Sequence, residues 1–105
     1  MEEITPQELK ARLDRGDRPV LLDVRQPWEV EICALDGHVN IPIEEIEVRT
    51  GELDPADEIV VYCHHGMRSA AVVRFLAGRG FARVKNLTGG VAYWGATVDA
   101  SMPQY

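Results

Sequence analysis

The sequence has very little cysteine. Cys33 and Cys63 are the only two among 105 residues. Two cysteines cannot supply the four ligands of a structural zinc site, and the neighbouring His64 and His65 lack ligand spacing toward Cys33, so we expect no metal and no cofactor. Without a recognisable secretory signal, a structural disulfide between the two cysteines is not expected either.

Long apolar runs and clusters of basic residues are also lacking. No uncharged stretch approaches the roughly 18 residues of a membrane-spanning helix, so the sequence predicts a cytoplasmic protein without membrane contact. The 11 basic residues are scattered among 17 acidic ones, and the net charge of −6 argues against direct nucleic-acid binding. No repeat or linker interrupts the chain, whose 46% hydrophobic content suffices for one domain over residues 1–105, expected to be a monomer.

The most informative stretch surrounds Cys63. The preceding residues, Ile59 to Tyr62, are β-branched or aromatic and uncharged, which is typical of a strand buried on both faces of a parallel sheet. The following residues, Ser69 to Arg79, predict a helix. Between them the Cys63 loop (residues 63–68) must reverse the chain at the carboxyl edge of the sheet, where open α/β sheets bind ligands. We therefore expect Cys63 to lie at the rim of the sheet.

A thiol at this position is expected to be reactive. The unpaired N–H groups and the positive dipole end of the following helix favour a thiolate and can hold an anion. Arg68, together with His64 or His65 if protonated, would add positive potential and lower the pKa of the Cys63 thiol. The candidate site is the nucleophile Cys63 and a substrate-binding loop made of His64, His65, Gly66, Met67 and Arg68.

Less reactive alternatives exist for several of these residues. A lone cysteine is commonly an inert core residue, but the strand end, glycine, cations and helix start around Cys63 favour catalysis. Cys33 has no such setting, and we expect it to pack in the core. Either one of His64 and His65 points inward and tunes the thiolate or an anion, or both lie on the loop surface.

Strand and helix signals alternate along the rest of the chain. Thr5, Pro6 and Glu8 form a capping-box pattern that predicts a helix from Pro6 to about Arg15. Connections between strands are too long for hairpins, so we predict an α/β fold with a mostly parallel sheet of about five strands and helices on both faces. Other predicted elements are strands at Glu3-Ile4, Val20–Val24, Val39–Ile41 and Val84–Leu87, and helices at Pro27–Cys33, around Ile43–Val48 with Ile43, Ile46 and Val48 on one side, and after Gly89-Gly90.

Three further side chains merit attention. Asp23 falls inside a predicted buried strand, where a carboxylate needs partners. Asp23 and Arg25 are expected to pair with each other, or the Asp23 carboxylate to accept from loop N–H groups, as architecture. Trp28 is expected to be a partly buried packing residue, and Trp94, near the rim, to wall the pocket.

Taken together, these motifs resemble those of single-domain rhodaneses. The active-site loop of this sulfurtransferase family starts with cysteine, has glycine in its fourth position and often arginine in its sixth, matching Cys63, Gly66 and Arg68. The resemblance runs from about Ile4 to Trp94. It includes the segments Leu22-Asp23-Val24-Arg25 with Glu29, Asn40-Ile41-Pro42, and Leu87-Thr88-Gly89-Gly90.

The resemblance implies a rhodanese-like three-layer fold and a specific reaction. A Cys63 persulfide would carry a sulfane sulfur from thiosulfate or a similar anionic donor to a thiophilic acceptor, which is cyanide in vitro and a thiol or protein in the cell. Asp23 and Arg25 would lie beside the active-site loop. The chain has Cys33-Ala34 where the family often carries Gly-His, which leaves the substrate preference open, and Cys33 could in principle resolve the persulfide as a disulfide.

Two rival functions remain. Cysteine phosphatases and arsenate reductases also use a cysteine loop ending in arginine, but they have one more residue between the two than the four found here. The shorter loop removes one N–H donor and about 3.3–3.6 Å of contour, which favours sulfur transfer. A non-catalytic interaction module, or a persulfide carrier for partner proteins, is the other alternative; retention of Cys63 argues against the former.

Overall fold

Five strands and five α-helices make up the computed structural model, which describes residues 1–105. The strands are β1 (Glu3–Ile4), β2 (Val20–Asp23), β3 (Val39–Asn40), β4 (Ile59–Tyr62) and β5 (Val84–Leu87). The helices are α1 (Pro6–Asp14), α2 (Pro27–Ile32), α3 (Ile46–Arg49), α4 (Met67–Ala77) and α5 (Gly90–Thr97), with 3₁₀ turns at Ile43–Glu45 and Thr50–Glu52. None of the helices is long and apolar enough to cross a bilayer.

All strand pairs are parallel, and the strand order is β1-β5-β4-β2-β3. Strand β4 lies in the centre, where Val20 to Asp23 pair in register with Ile59 to Tyr62. Every residue of β4 is buried, as its apolar sequence predicts. The predicted α/β fold with a five-stranded parallel sheet is therefore confirmed.

Two hydrophobic cores cover the two faces of the sheet, because successive side chains of a strand point to opposite sides. Ile59 and Val61 face a core that also contains Cys63 and the buried side of α4. Val60 and Tyr62 face the other core, which α1 and α5 close. Cys63 and Cys33 belong to different cores, and both are free thiols. Cys33 is buried, as expected of a packing residue.

The ends of the helices follow the local sequence. The hydroxyl of Thr5 accepts from the Glu8 N–H at 3.1 Å while the Glu8 carboxylate accepts from the Thr5 N–H at 2.9 Å, so the predicted capping box is present. Helix α4 begins two residues earlier than predicted, at Met67, because Gly66 adopts a left-handed φ of 105° directly before it.

Two side chains have a different exposure from the one predicted. Trp28 is 60% exposed rather than partly buried, and Val48 points to solvent instead of sharing the inner side of its helix with Ile46. Both residues lie on helices of six residues or fewer, where a single turn decides which side faces the core and the sequence pattern is too short to show it.

Candidate active site

The Cys63 loop is a tight turn between β4 and α4. Cys63 directly follows the last residue of β4, and Gly66 reverses the chain with its left-handed backbone. A Cβ at Gly66 would meet the backbone nitrogen of Gly89 at 3.4 Å, so the turn also packs closely on the neighbouring loop. Met67 and Arg68 belong to the first turn of α4 rather than to the turn itself.

Hydrogen-bond donors at the start of α4 converge on the sulfur of Cys63. The Gly66 N–H lies 3.1 Å from Sγ and the Ser69 N–H 3.4 Å from it. The Ser69 hydroxyl oxygen is also 3.4 Å away. Burial by itself would raise the pKa of the Cys63 thiol, but hydrogen bonds from Ser69, Gly66 and His65 outweigh it, and the net pKa is lowered. The arrangement favours a thiolate.

The Cys63 side chain is more deeply enclosed than the sequence suggests. Its position at the carboxyl end of β4 agrees with the expected rim, but only 1% of its surface is exposed. The surrounding amides nevertheless point at the sulfur instead of away from it. A reactant therefore reaches Sγ only after a local movement of the loop or of the residues that cover it.

The start of α5 holds the backbone of the loop in place. The Val91 N–H donates to the Cys63 carbonyl and the Ala92 N–H to the His64 carbonyl, both at 3.0 Å. Gly90 has a φ of 61°, and a Cβ there would lie within 2.6 Å of the carbonyl groups of Cys63 and His64. Glycine is thus required for this close approach. The two glycine turns meet at one edge of the sheet, where right-handed crossovers between parallel strands place them.

Arg68 is engaged differently from the expectation. Instead of facing the sulfur as a free cation, its guanidinium makes a bidentate pair with the Glu29 carboxylate, at 2.7 and 2.8 Å. The hydrogen bonds from Arg68 hold the pKa of the nearly buried Glu29 at about 2, well below its usual range. Glu29 was not among the predicted site residues, although it belongs to the motif that follows Arg25.

Asp23 and Arg25 form a fully buried ion pair. The Arg25 Nη2 lies 2.6 Å from Asp23 Oδ2, and Nε lies 2.9 Å from Oδ1. The same guanidinium donates to the Cys33 carbonyl at 2.7 Å and to the Glu29 carbonyl at 3.3 Å. The predicted pairing is confirmed. Arg25 connects β2 to the end of α2 and thereby supports the helix that carries Glu29.

Tyr105 closes the same side of the site. Its hydroxyl donates to Glu29 Oε1 at 2.9 Å and accepts from Arg25 Nη1 at 3.0 Å. Its ring stacks on the His64 ring with 3.8 Å between centroids, and Trp28 contacts its edge at 6.0 Å. Burial raises the pKa of Tyr105 to about 12, so the hydroxyl stays protonated. Sequence reasoning missed this residue because it lies 76 positions from Glu29.

The two histidines stack on each other. His64 is partly buried between the rings of His65, at 4.0 Å, and Tyr105. Burial and the neighbouring His65 lower the pKa of His64, so it is neutral at pH 7. The condition under which His64 would add positive potential, its protonation, is therefore not met at pH 7. His65 is exposed.

Two other predicted site residues lie elsewhere than expected. Met67 is 83% exposed, on the outer side of α4. Trp94 is buried in the core beneath α1 and lines a cavity there with Leu13 and Leu35. Trp94 is therefore a core residue rather than a wall of the thiol pocket, since its place one turn into α5 directs the ring toward α1.

Comparisons with known proteins agree with this architecture. A sulfurtransferase of Allochromatium vinosum is 31% identical over 94 residues, covering 90% of this chain and 88% of that protein. The adenylyltransferase and sulfurtransferase MOCS3 of Culex quinquefasciatus is 38% identical over 117 residues, covering 99% of this chain but 27% of that protein. The solved structure of a rhodanese-related protein from Thermoplasma volcanium has a TM-score of 0.84 at 29% identity, covering 98% of this chain and 96% of the other.

The chain spans half or less of the length of several other curated relatives. The profile of the rhodanese-like domain matches residues 5–97, almost the whole of the described fold. This match, the parallel sheet and the cysteine turn at the start of α4 together confirm the resemblance seen in the sequence. The chain belongs to the rhodanese-like domain family.

Proposed function

We propose that this chain is a thiosulfate sulfurtransferase that carries the transferred sulfur as a persulfide on Cys63. The observation that carries the proposal is the convergence of the Gly66 and Ser69 N–H groups on Sγ, at 3.1 and 3.4 Å. Such donors stabilise an anionic sulfur, both as the attacking thiolate and as the persulfide. The family membership and the relatives named as sulfurtransferases support the class of reaction.

In the first half-reaction, the Cys63 thiolate attacks the outer sulfur of thiosulfate. A new bond forms between Sγ and that sulfur, the sulfur–sulfur bond of thiosulfate breaks, and sulfite leaves with the bonding electron pair. The persulfide keeps one negative charge on its terminal sulfur. Once the loop has admitted the donor, its amides are the groups placed to stabilise this charge.

In the second half-reaction, a thiophilic acceptor removes the terminal sulfur. Cyanide or a thiolate attacks it, the bond to Sγ breaks, and the electron pair returns to Cys63 as the thiolate. The products are thiocyanate or the persulfide of the acceptor thiol. Donor and acceptor react in separate steps, so the kinetics should be ping-pong.

Arg68 can assist the donor only in part. Glu29 engages two of its guanidinium N–H groups and neutralises its charge. The remaining N–H groups are free to face an anion, since a third of the side chain is exposed. With His64 neutral, most of the electrostatic stabilisation in this mechanism comes from the backbone amides.

The small enclosure around Sγ favours sulfur transfer over phosphoryl transfer. A phosphoryl group attached to the sulfur needs donors for three further oxygens, whereas this loop has one N–H group fewer than a phosphatase loop and 1% of Cys63 is exposed. A single additional sulfur atom needs much less space. The phosphatase alternative is accordingly the weaker one.

Intact mass spectrometry after incubation with thiosulfate tests the proposal. We expect one added sulfur atom, removed by cyanide with release of thiocyanate. The adduct should be absent in Cys63→Ala and retained in Cys33→Ala, the matched control. Failure to load Cys63, or loading of Cys33 instead, contradicts the proposal. If an organic persulfide loads Cys63 but thiosulfate does not, the persulfide on Cys63 stands and thiosulfate is replaced as the donor.

A further inference from the structure

Asn86 is a polar residue inside the buried strand β5, and nothing in the sequence analysis accounts for it. Its side chain is 4% exposed, and it pairs in register with Val61 of β4. Its amide nitrogen donates to the Gly66 carbonyl at 3.2 Å and to Glu3 Oε2 at 3.1 Å, and its oxygen accepts from the Ser69 hydroxyl at 2.5 Å. One buried amide thus contacts the Cys63 loop at Gly66 and the first turn of α4 at Ser69.

The orientation of the Asn86 amide is determined by its neighbours. The Gly66 carbonyl and the Glu3 carboxylate are acceptors only, so the NH₂ group must face them. The opposite orientation would set the amide oxygen against these two oxygens, with no hydrogen between them. The Asn86 oxygen therefore faces Ser69, and the Ser69 hydroxyl donates to it.

The Ser69 hydroxyl then has one hydrogen and two competing acceptors. One is the Asn86 oxygen at 2.5 Å, and the other is the Cys63 sulfur at 3.4 Å. With the hydrogen directed to Asn86, the serine oxygen turns lone pairs toward Cys63. This suits a protonated thiol, which can donate to Ser69, but it does not stabilise a thiolate. When Cys63 ionises, the hydroxyl must rotate toward Sγ and give up its short bond to Asn86.

We propose that Asn86 is a positioning residue that competes with the Cys63 sulfur for the Ser69 hydroxyl hydrogen and thereby sets how strongly Ser69 stabilises the thiolate or persulfide. The role acts through Ser69 and involves no contact with substrate. It rests on the proposed reactivity of Cys63. It is nevertheless tested by the ionisation of the thiol itself, which can be measured whether or not sulfur transfer occurs.

The other charged and titratable groups near Cys63 are the same in all four proteins, and the Asn86–Glu3 hydrogen bond is lost in both Ser69 backgrounds, so neither contributes to the coupling measured. Glu3 reaches the loop through Asn86. The charged and titratable groups near Cys63 are His64 and His65 on the loop, Arg68 on α4, Glu29 on α2, Glu3 on β1, and the Asp23–Arg25 pair on and after β2.

A double-mutant cycle separates the competition from other effects of Asn86. The thiol pKa of Cys63 is measured from the ultraviolet absorbance of the thiolate in Asn86→Leu, Ser69→Ala, the double variant and the parent, all carrying Cys33→Ala. Asn86→Leu also loosens the Gly66 carbonyl, but that effect is present with and without the Ser69 hydroxyl. The difference between the two backgrounds therefore isolates the shared hydrogen.

We measure the change in the Cys63 thiol pKa that Asn86→Leu causes, once with Ser69 present and once in the Ser69→Ala background. We expect the change to be more negative with Ser69 present, by about half a unit or more. Equal changes in the two backgrounds, or a difference of the opposite sign, would overturn the proposal. If Asn86→Leu does not fold, Asn86→Ala replaces it, because the smaller side chain admits water at the Gly66 carbonyl.

A second measurement needs no substitution of Asn86. The ¹³C chemical shift of its side-chain carbonyl should follow the titration of Cys63 in the parent, since ionisation withdraws the Ser69 hydrogen from that oxygen. In Ser69→Ala the same shift should change far less. An equally large titration in both proteins would show that Asn86 senses only the charge of the thiolate, and the competition would be refuted.

Discussion

Glu29→Gln should lower the free energy of unfolding at neutral pH, and the loss should shrink at acidic pH. Its pKa falls from the ordinary 4.5 to about 2, chiefly because Arg68 donates two hydrogen bonds to it. A fall of about 2.5 units is worth about 3 kcal/mol at 1.36 kcal/mol per unit. Since the Arg68 side chain is 34% exposed, solvent screening reduces this value to about 2 kcal/mol.

The direction of the pH dependence follows from the lowered pKa. The stabilisation is fully present above pH of about 4.5, where the carboxylate is ionised in both folded and unfolded chains. It is lost as the pH falls toward about 2, where the folded protein also takes up the proton. In Glu29→Gln the ion pair is absent at every pH, so the variant lacks this dependence.

Urea unfolding of Glu29→Gln and the parent checks this prediction. We expect the free energy of unfolding to differ by about 2 kcal/mol at neutral pH and the gap to shrink by more than half at about pH 3. Glu47→Gln is the matched control, because the Glu47 side chain is exposed and forms no ion pair. A Glu29→Gln variant as stable as the parent at neutral pH, or a gap independent of pH, would refute the reasoning.

Three further predictions follow from the same geometry. Alkylation of Cys63 in the Cys33→Ala protein should reach half its maximal rate below a pH of about 8.5, the value expected for a free thiol, because the lowered pKa keeps the thiolate populated at lower pH. If the pH of half-maximal rate is at or above that of the urea-unfolded chain, the prediction is contradicted. Gly90→Ala should destabilise the fold by about 2–4 kcal/mol in urea unfolding, whereas Gly51→Ala, with open space around its Cβ, should stay within about 0.5 kcal/mol. Tyr105→Phe removes two hydrogen bonds but keeps the stacked ring, so the free energy of unfolding should fall by about 1–2 kcal/mol with little change in the Cys63 alkylation rate. If Tyr105→Ala is alkylated no faster than Tyr105→Phe, the ring does not restrict access to Cys63.

Much of the fold could be predicted because its signals are local. The apolar run Ile59–Tyr62 predicts a buried central strand, and the Thr5–Glu8 capping box marks the start of a helix; both appear as predicted. Which side chains of a helix face the core was harder to predict. Trp28 proved exposed and Trp94 proved buried away from the thiol, since which face of a short helix turns inward depends on the elements packed against it.

The charges of the site could not be predicted in the same way. Arg68 was expected to face the sulfur, but its partner Glu29 lies 39 positions earlier in the chain. Tyr105, which reaches both Glu29 and Arg25, comes from a segment whose sequence has no feature of a site. Ion pairs and stacked rings between distant residues arise only once the strand order has brought those segments together.

The sequence by itself determined the position of Cys63 and the backbone around it, because Cys63, Gly66 and the start of α4 are neighbours along the chain and their conformation depends on local sterics and helix-end N–H groups. The tertiary structure alone decided how the side chains around that sulfur are paired. Placing β5 beside β4 brings Asn86 against Ser69, and placing α2 beside α4 brings Glu29 against Arg68. Contacts of this kind depend on three-dimensional proximity, which no local pattern encodes.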